Sequence, residues 1–246
     1  MLRILILGGT TEAVALAERL ISERLDIDVV TSLAGVTRAP GQVPGTVRRG
    51  GFGGVEGLAD YLRAERFAAL IDATHPFASV MASHAADAAS QAVVPRIKLV
   101  RPMWQETADD RWIAVRDAPD AARALGDLAP SAAFVTLGRR DLDAFSDLRG
   151  IRLLVRMIEP PDAPLPHGDL LLDRGPFTAE GETTLLRENG IGALVTKASG
   201  GAANEAKILS ARSLGLPVVM VARPAMPEGQ VAGSVEEVMA WLADQA

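Results

Sequence analysis

Leu2-Arg3-Ile4-Leu5-Ile6-Leu7-Gly8-Gly9-Thr10-Thr11-Glu12-Ala13 is the stretch that decides the fold. Its first half is an almost unbroken aliphatic run, the pattern of a strand buried on both faces. Two glycines then turn the chain. Thr11–Arg24 follows as a helix, with Ala13, Leu16, Ala17 and Leu20 recurring on one face. A buried strand that ends in a glycine turn and feeds a helix is the opening unit of a parallel α/β sheet.

The same alternation continues outward from that stretch. Ile27–Thr31, Thr46–Arg49, Ala68–Asp72 and Arg96–Val100 read as strands, with helices over Val55–Glu65 and Phe77–Gln91. The pattern then restarts. Trp112–Val115, Ala133–Leu137, Ile151–Val155, Leu170–Leu172, Ala193–Thr196 and Pro217–Val221 are strand-like. Helices are expected over Asp117–Leu125, Thr178–Asn189, Ala202–Leu214 and Val235–Ala243. About ten strands approach the limit of one open sheet. The expected fold is therefore α/β, with two Rossmann-like, doubly wound parallel-sheet halves over residues 1–101 and 112–246. Pro102, Glu106, Asp109 and Asp110 mark the linker at Arg101–Arg111. The proline-rich run from Glu159 to Gly168 reads as a rigid surface loop.

Composition removes several function classes. The 246 residues carry a net charge of -6 and only 4% aromatics, which argues against nucleic-acid binding. There is no cysteine, so disulfides, thiolate metal sites and cysteine nucleophiles are excluded. The three histidines, His75, His84 and His167, are scattered, and no metal site is expected. No apolar run reaches the ~20 residues of a membrane span. The short N-terminal run lacks the features of a signal peptide, so a cytoplasmic protein is expected.

In open parallel sheets ligands bind beyond the carboxyl ends of strands, and five loops there carry suitable chemistry. Gly8-Gly9-Thr10-Thr11 lets a phosphate approach backbone N–H groups at a helix start, with Thr10 and Thr11 adding hydroxyls. An ordinary capped turn is the alternative, because the G-x-G-x-x-G spacing is absent. Thr31–Arg38 has no acid to meet a ribose, but offers Ser32 and Arg38 to a 2′-phosphate. Gly50-Gly51-Phe52-Gly53-Gly54 suits close approach of a flat ligand or a flexible connection. In Asp72-Ala73-Thr74-His75-Pro76-Phe77-Ala78, Pro76 fits a first helical turn, Thr74 or His75 would cap it, and His75 could donate a proton. Thr196-Lys197-Ala198-Ser199-Gly200-Gly201, with Lys207 beyond it, holds two of the chain's three lysines and forms a second anion site at a helix start. Arg139 and Arg174 add cations at two more strand ends.

Gly-Gly-Thr-Thr-Glu-Ala from Gly8, Asp-Ala-Thr-His-Pro-Phe-Ala from Asp72, and Thr-Lys-Ala-Ser-Gly-Gly from Thr196, followed by Glu205 and Lys207, resemble the precorrin-6A reductase family. Asp173-Arg174-Gly175-Pro176-Phe177 is similar as well, so the resemblance spans nearly the whole chain. It implies two Rossmann-like domains with an interdomain cleft, the first binding NADPH and the second a ring-contracted tetrapyrrole. It implies a cobalamin-pathway reductase that adds hydride at C19 and a proton at C18 of precorrin-6A, or of its cobalt form, giving precorrin-6B. On that reading Gly9, Thr10, Thr11, Ser32, Arg38 and Thr74 hold NADPH. Arg139, Arg174, Ser199, Gly200, Gly201 and Lys207 meet the substrate, whose carboxylates suit cations. Lys197 and His75 are the candidate catalytic groups, and the protein is expected to be a monomer. Two other readings compete. An S-adenosylmethionine-dependent methyltransferase would want the missing acid after the second strand. A non-catalytic NADPH-sensing module would not need the second set of cationic strand ends.

Overall fold

The computed structural model describes residues 2–24, 26–34, 43–161, 165 and 168–245. Two compact units share the chain: Met1–Pro102 with Pro224–Ala246, and Met103–Arg223.

The first unit is one parallel sheet of β1 (Leu2–Leu7), β2 (Ile27–Leu33), β3 (Thr46–Arg49), β4 (Ala69–Asp72), β5 (Arg96–Leu99) and β12 (Gln230–Ala232). Its order is β12-β5-β4-β1-β2-β3. Helices α1 (Thr11–Glu23), α2 (Val55–Ala64), α3 (Ser79–Ala92) and α7 (Val235–Ala243) cover it. The aliphatic run of β1 serves both faces. Ile4 and Ile6 pack with Leu16 and Leu20 of α1 and with Val238 and Leu242 of α7. Leu5 and Leu7 pack with Leu58 and Leu62 of α2 and Ala85 and Ala88 of α3. All of these side chains are fully buried or nearly so, which is why the run shows no polar alternation.

The second unit repeats the plan with β6 (Arg111–Val115), β7 (Ala132–Val135), β8 (Arg152–Met157), β9 (Asp169–Leu172), β10 (Ala193–Lys197) and β11 (Pro217–Val221), alongside α4 (Ala118–Leu128), α5 (Ala179–Glu188) and α6 (Ala206–Ser213). The order is β6-β11-β10-β7-β8-β9, and every pairing in both sheets is parallel. The two orders coincide once β7 is matched to β1. Each is the 3-2-1-4-5 series of a doubly wound sheet with a sixth strand added beside the fifth.

That sixth strand corrects the expected boundary. Residues 112–246 were expected to form the second half, yet Pro224–Ala246 belongs to the first unit. β12 pairs with β5, Val100 N–H donates to the Ala232 carbonyl at 2.9 Å, and Ala232 joins the core under α1 and α7. A three-residue strand shows no readable period, and nothing in its composition says which sheet it joins. Two helix starts also differ. α3 begins at Ser79, so Pro76 lies before it and neither Thr74 nor His75 caps it. The helix expected from Ala202 is a 3₁₀ turn over Ala202–Asn204, with α6 starting at Ala206. No described helix is long and apolar enough to cross a membrane.

Candidate functional site

Each sheet places β1 or its counterpart β7 between strands reached by crossovers in opposite directions. Such switch points open a crevice at the carboxyl ends of the strands. In the first unit the switch lies between β1 and β4, and in the second between β7 and β10.

At the first switch point Gly8 is confined. A Cβ there would sit 2.9 Å from Thr31 Cγ2, so only glycine lets β1 leave the sheet so close to β2. Gly9 is the opposite case. It has φ +118, and nothing lies within 4 Å of an added Cβ, so its backbone is open to a ligand. Thr10 caps α1. Its hydroxyl accepts from Ala13 N–H at 3.2 Å and donates to the Ala73 carbonyl at 2.8 Å. The hydroxyl is thus occupied by the fold, while Thr11 is exposed. Glu12 meets the buried Arg101, whose Nη1 lies 3.2 Å from Oε2. That cation beside the first turn was not singled out from sequence, because an arginine at a strand end reads as an ordinary surface charge.

The end of β2 holds Ser32, buried, with its hydroxyl 3.4 Å from Nη1 of Arg48. Arg48 stands opposite Ser32 in the β2–β3 register, stacks 3.9 Å from the Phe52 ring, and donates to the Gly50 and Gly51 carbonyls at 2.6 and 2.7 Å. It shapes the glycine loop, where nothing lies within 4 Å of a Cβ at Gly50, Gly51, Gly53 or Gly54. Arg38, expected to read a 2′-phosphate, lies outside the described residues.

The end of β4 is a buried polar cluster. Asp72 is fully buried between Leu7 of β1 and Lys98 of β5 in register. Lys98 Nζ lies 2.9 Å from Asp72 Oδ1 and 2.9 Å from Thr74 Oγ1. Burial pulls the Lys98 ammonium below the ordinary lysine value, and the Asp72 charge opposes that shift. Thr74 is itself buried, and its hydroxyl donates to Asp72 Oδ1 at 2.7 Å. His75 is half-buried. Its Nδ1 accepts from Phe77 N–H at 3.2 Å, which leaves the proton of a neutral ring on Nε2.

At the second switch point Lys197 Nζ lies 2.6 Å from Asp141 Oδ2. Asp141 sits in a 3₁₀ turn over Arg139–Phe145 that the sequence did not reveal. A Cβ on Gly138 would lie 3.7 Å from both partners, in ordinary contact with the pair. Beneath it the Thr136 hydroxyl donates to that of Thr196 at 2.9 Å. The loop after Lys197 is held from below. Arg223 donates to the Ala198 and Ser199 carbonyls, each at 2.9 Å, and Trp104 Nε1 to the Gly201 carbonyl at 2.9 Å. Gly200 and Gly201 have φ +66 and +75, conformations that suit glycine. Lys207 is buried, with Nζ 3.1 Å from the Asn204 carbonyl and 5.4 Å from the centre of the Trp104 ring. It braces the loop from inside. Arg139 and Arg174 are exposed. Behind Arg174, Phe177 stacks 3.7 Å from the guanidinium of Arg156, which is buried and paired with Glu182.

Glycine turns at the switch points of two parallel sheets, one beside helix α1 and one beside a lysine–aspartate pair, define a doubly wound α/β protein with two Rossmann-like halves. The family model described as precorrin-6x reductase CbiJ/CobK matches residues 3–243. A precorrin-6A reductase of Rhodococcus erythropolis is 46% identical, covering 98% of each chain. That of Rhodobacter capsulatus is 45% identical, over 99% of this chain and 97% of its own. The solved structure of a CobK precorrin-6A reductase superposes with a TM-score of 0.94 at 45% identity, covering 100% of this chain and 98% of its own. The chain belongs to the precorrin-6x reductase CbiJ/CobK family.

Proposed function

We propose that this protein reduces precorrin-6A to precorrin-6B in cobalamin biosynthesis, as a cytoplasmic monomer that uses NADPH. The observation that carries the reading is the open Gly9 backbone at the start of α1, inside a chain of this family. The donor set suits a dinucleotide phosphate. Gly9, Thr10 and Thr11 form a helix-start anion site, and no acid lies in the sequence between Val29 and Arg38 to repel a 2′-phosphate. Ser32 and Arg38 take that phosphate, and Thr74 supports the turn from β4. NADPH, when bound, supplies the hydride that adds at C19 of the macrocycle.

The remaining tasks fall to side chains. Arg139, Arg174 and Lys197 bind substrate carboxylates by charge-assisted hydrogen bonds. Ser199, Gly200 and Gly201 bring backbone close to the macrocycle, and Lys207 keeps that loop in place. The proton for C18 comes from Lys197, from His75 at Nε2 or from water. The two side chains are each fixed by a neighbour, Asp141 for Lys197 and Phe77 N–H for His75.

The test is anaerobic oxidation of NADPH with purified precorrin-6A, recording nicotinamide absorbance and the macrocycle spectrum together. Stoichiometric loss of NADPH with a shifted tetrapyrrole spectrum is expected. Tight NADPH binding without turnover of either the metal-free or the cobalt substrate would return the protein to a sensing role.

A further inference from the structure

We propose that Lys98 is a positioning residue for the nucleotide-binding end of the first unit, acting through Thr74 on the first glycine turn. The proposal rests on the NADPH reading above and goes beyond it by naming a side chain that touches no ligand.

A lysine paired with an aspartate inside a parallel sheet is an expensive way to fill a core. Desolvating both charges costs more than well-packed aliphatic side chains would. Lys98 is 4% exposed and Asp72 0%, and Asp72 Oδ2 has no hydrogen-bond partner among the described residues. Stability alone therefore does not account for the pair.

Its contacts do. The ammonium reaches Asp72 Oδ1 at 2.9 Å, Thr74 Oγ1 at 2.9 Å and the Thr74 carbonyl at 3.2 Å. Asp72 Oδ1 also accepts from Thr74 N–H at 3.1 Å. Every polar group of Thr74 is thus gripped by β4 and β5 as the chain leaves the sheet. The residue just before it, Ala73, accepts the Thr10 hydroxyl and donates its N–H to the Leu7 carbonyl at 3.0 Å. Thr10 is the cap of α1 and part of the glycine turn. The residue just after it is His75. One buried cation so sets the spacing between the turn that takes the pyrophosphate and the segment that carries His75. The Thr74 hydroxyl, engaged by Asp72 and Lys98 at once, acts by holding backbone in place.

The experiment uses the full chain. Lys98→Met combined with Asp72→Asn removes both charges at similar volume and leaves no ion buried alone. This double variant is expected to fold and to bind NADPH about tenfold more weakly, the scale of one misplaced charge-assisted hydrogen bond. KM for NADPH should rise in step, while KM for the tetrapyrrole stays unchanged. Thr74→Val covers the case in which the double variant does not fold. It severs only the hydroxyl and should weaken NADPH several-fold, and Thr74→Ser should restore it. An NADPH dissociation constant within about twofold of the parent in the folded variants, with only the melting temperature lowered, overturns the positioning role. Failure of the parent protein itself to bind NADPH would instead count against the cofactor reading.

Discussion

The Lys197 ammonium lies 2.6 Å from Asp141 Oδ2, beside Gly138 at the switch point of the second sheet. The pair is partly exposed, with side-chain accessibilities of 22% and 28%, so water competes for it. If Lys197 positions substrate, Lys197→Ala raises KM for the tetrapyrrole by about 10- to 100-fold with kcat little changed. Steady-state kinetics separate the two cases. A loss confined to kcat assigns the lysine to the transition state instead.

Cofactor choice is expected to reside at the ends of β2 and β3. Arg38→Ala should weaken NADPH by about 10- to 100-fold and NADH hardly at all, because only NADPH carries the 2′-phosphate. Arg48→Ala should weaken both, since Arg48 spends its donors on the Gly50 and Gly51 carbonyls and shapes the loop rather than reading charge. Titrations with each nucleotide decide the matter, and equal losses for Arg38→Ala would remove its role.

Gly57 inverts the usual rule for helices. Alanine in place of a helical glycine ordinarily stabilises by about 1 kcal/mol. Here an added Cβ would sit 1.8 Å from the Phe52 carbonyl oxygen, so the glycine loop must move. Gly57→Ala is therefore expected to destabilise by about 1–3 kcal/mol and to weaken nucleotide binding, as denaturant melts and binding titrations can show.

Acid should act on the second unit through Asp110. Its carboxyl accepts from Arg212 Nε at 3.0 Å, from Thr107 N–H at 2.8 Å and from the Thr107 hydroxyl at 3.0 Å. Burial pushes the carboxyl up, but these donors together outweigh it and hold it below the ordinary aspartate value. The folded form thus binds a proton less readily than the unfolded form. This contribution is fully present above about pH 4 and disappears as pH falls through the depressed folded value. Asp110→Asn should cost about 1–3 kcal/mol at pH 7 and flatten the decline below pH 4. Chemical denaturation at neutral and acidic pH checks both parts, and an unchanged acid slope would reject the assignment.

Strand ends and glycine turns were legible because they follow from local chemistry. The β1 run shows burial on both faces in its own composition, and Pro217–Val221, Thr46–Arg49 and Val235–Ala243 have the expected bounds. What escaped depends on partners distant in sequence. Asp141 is an unremarkable acid until β7 and β10 bring it to Lys197. Lys207 reads as a cation for the substrate, and only the fold shows it buried beneath Trp104. Lys98 lies inside a strand-like run, and only the β4–β5 register puts it opposite Asp72. β12 is too short to carry a period, and its membership is decided by β5 and the α1–α7 core.

The membership of β12 has a kinetic side. The second sheet draws all six strands from one continuous stretch, Met103–Arg223, so its longest contacts close within that stretch. The first sheet can assemble β1 to β5 early but keeps the β5 edge bare until the whole second unit has been traversed and Gln230–Ala232 arrives. Loop closure over that span is slow relative to local pairing. In the meantime an unpaired parallel edge is an invitation to the wrong strand. During synthesis the half begun first is therefore the half completed last, and its open edge is where crowding or chaperone capture would act.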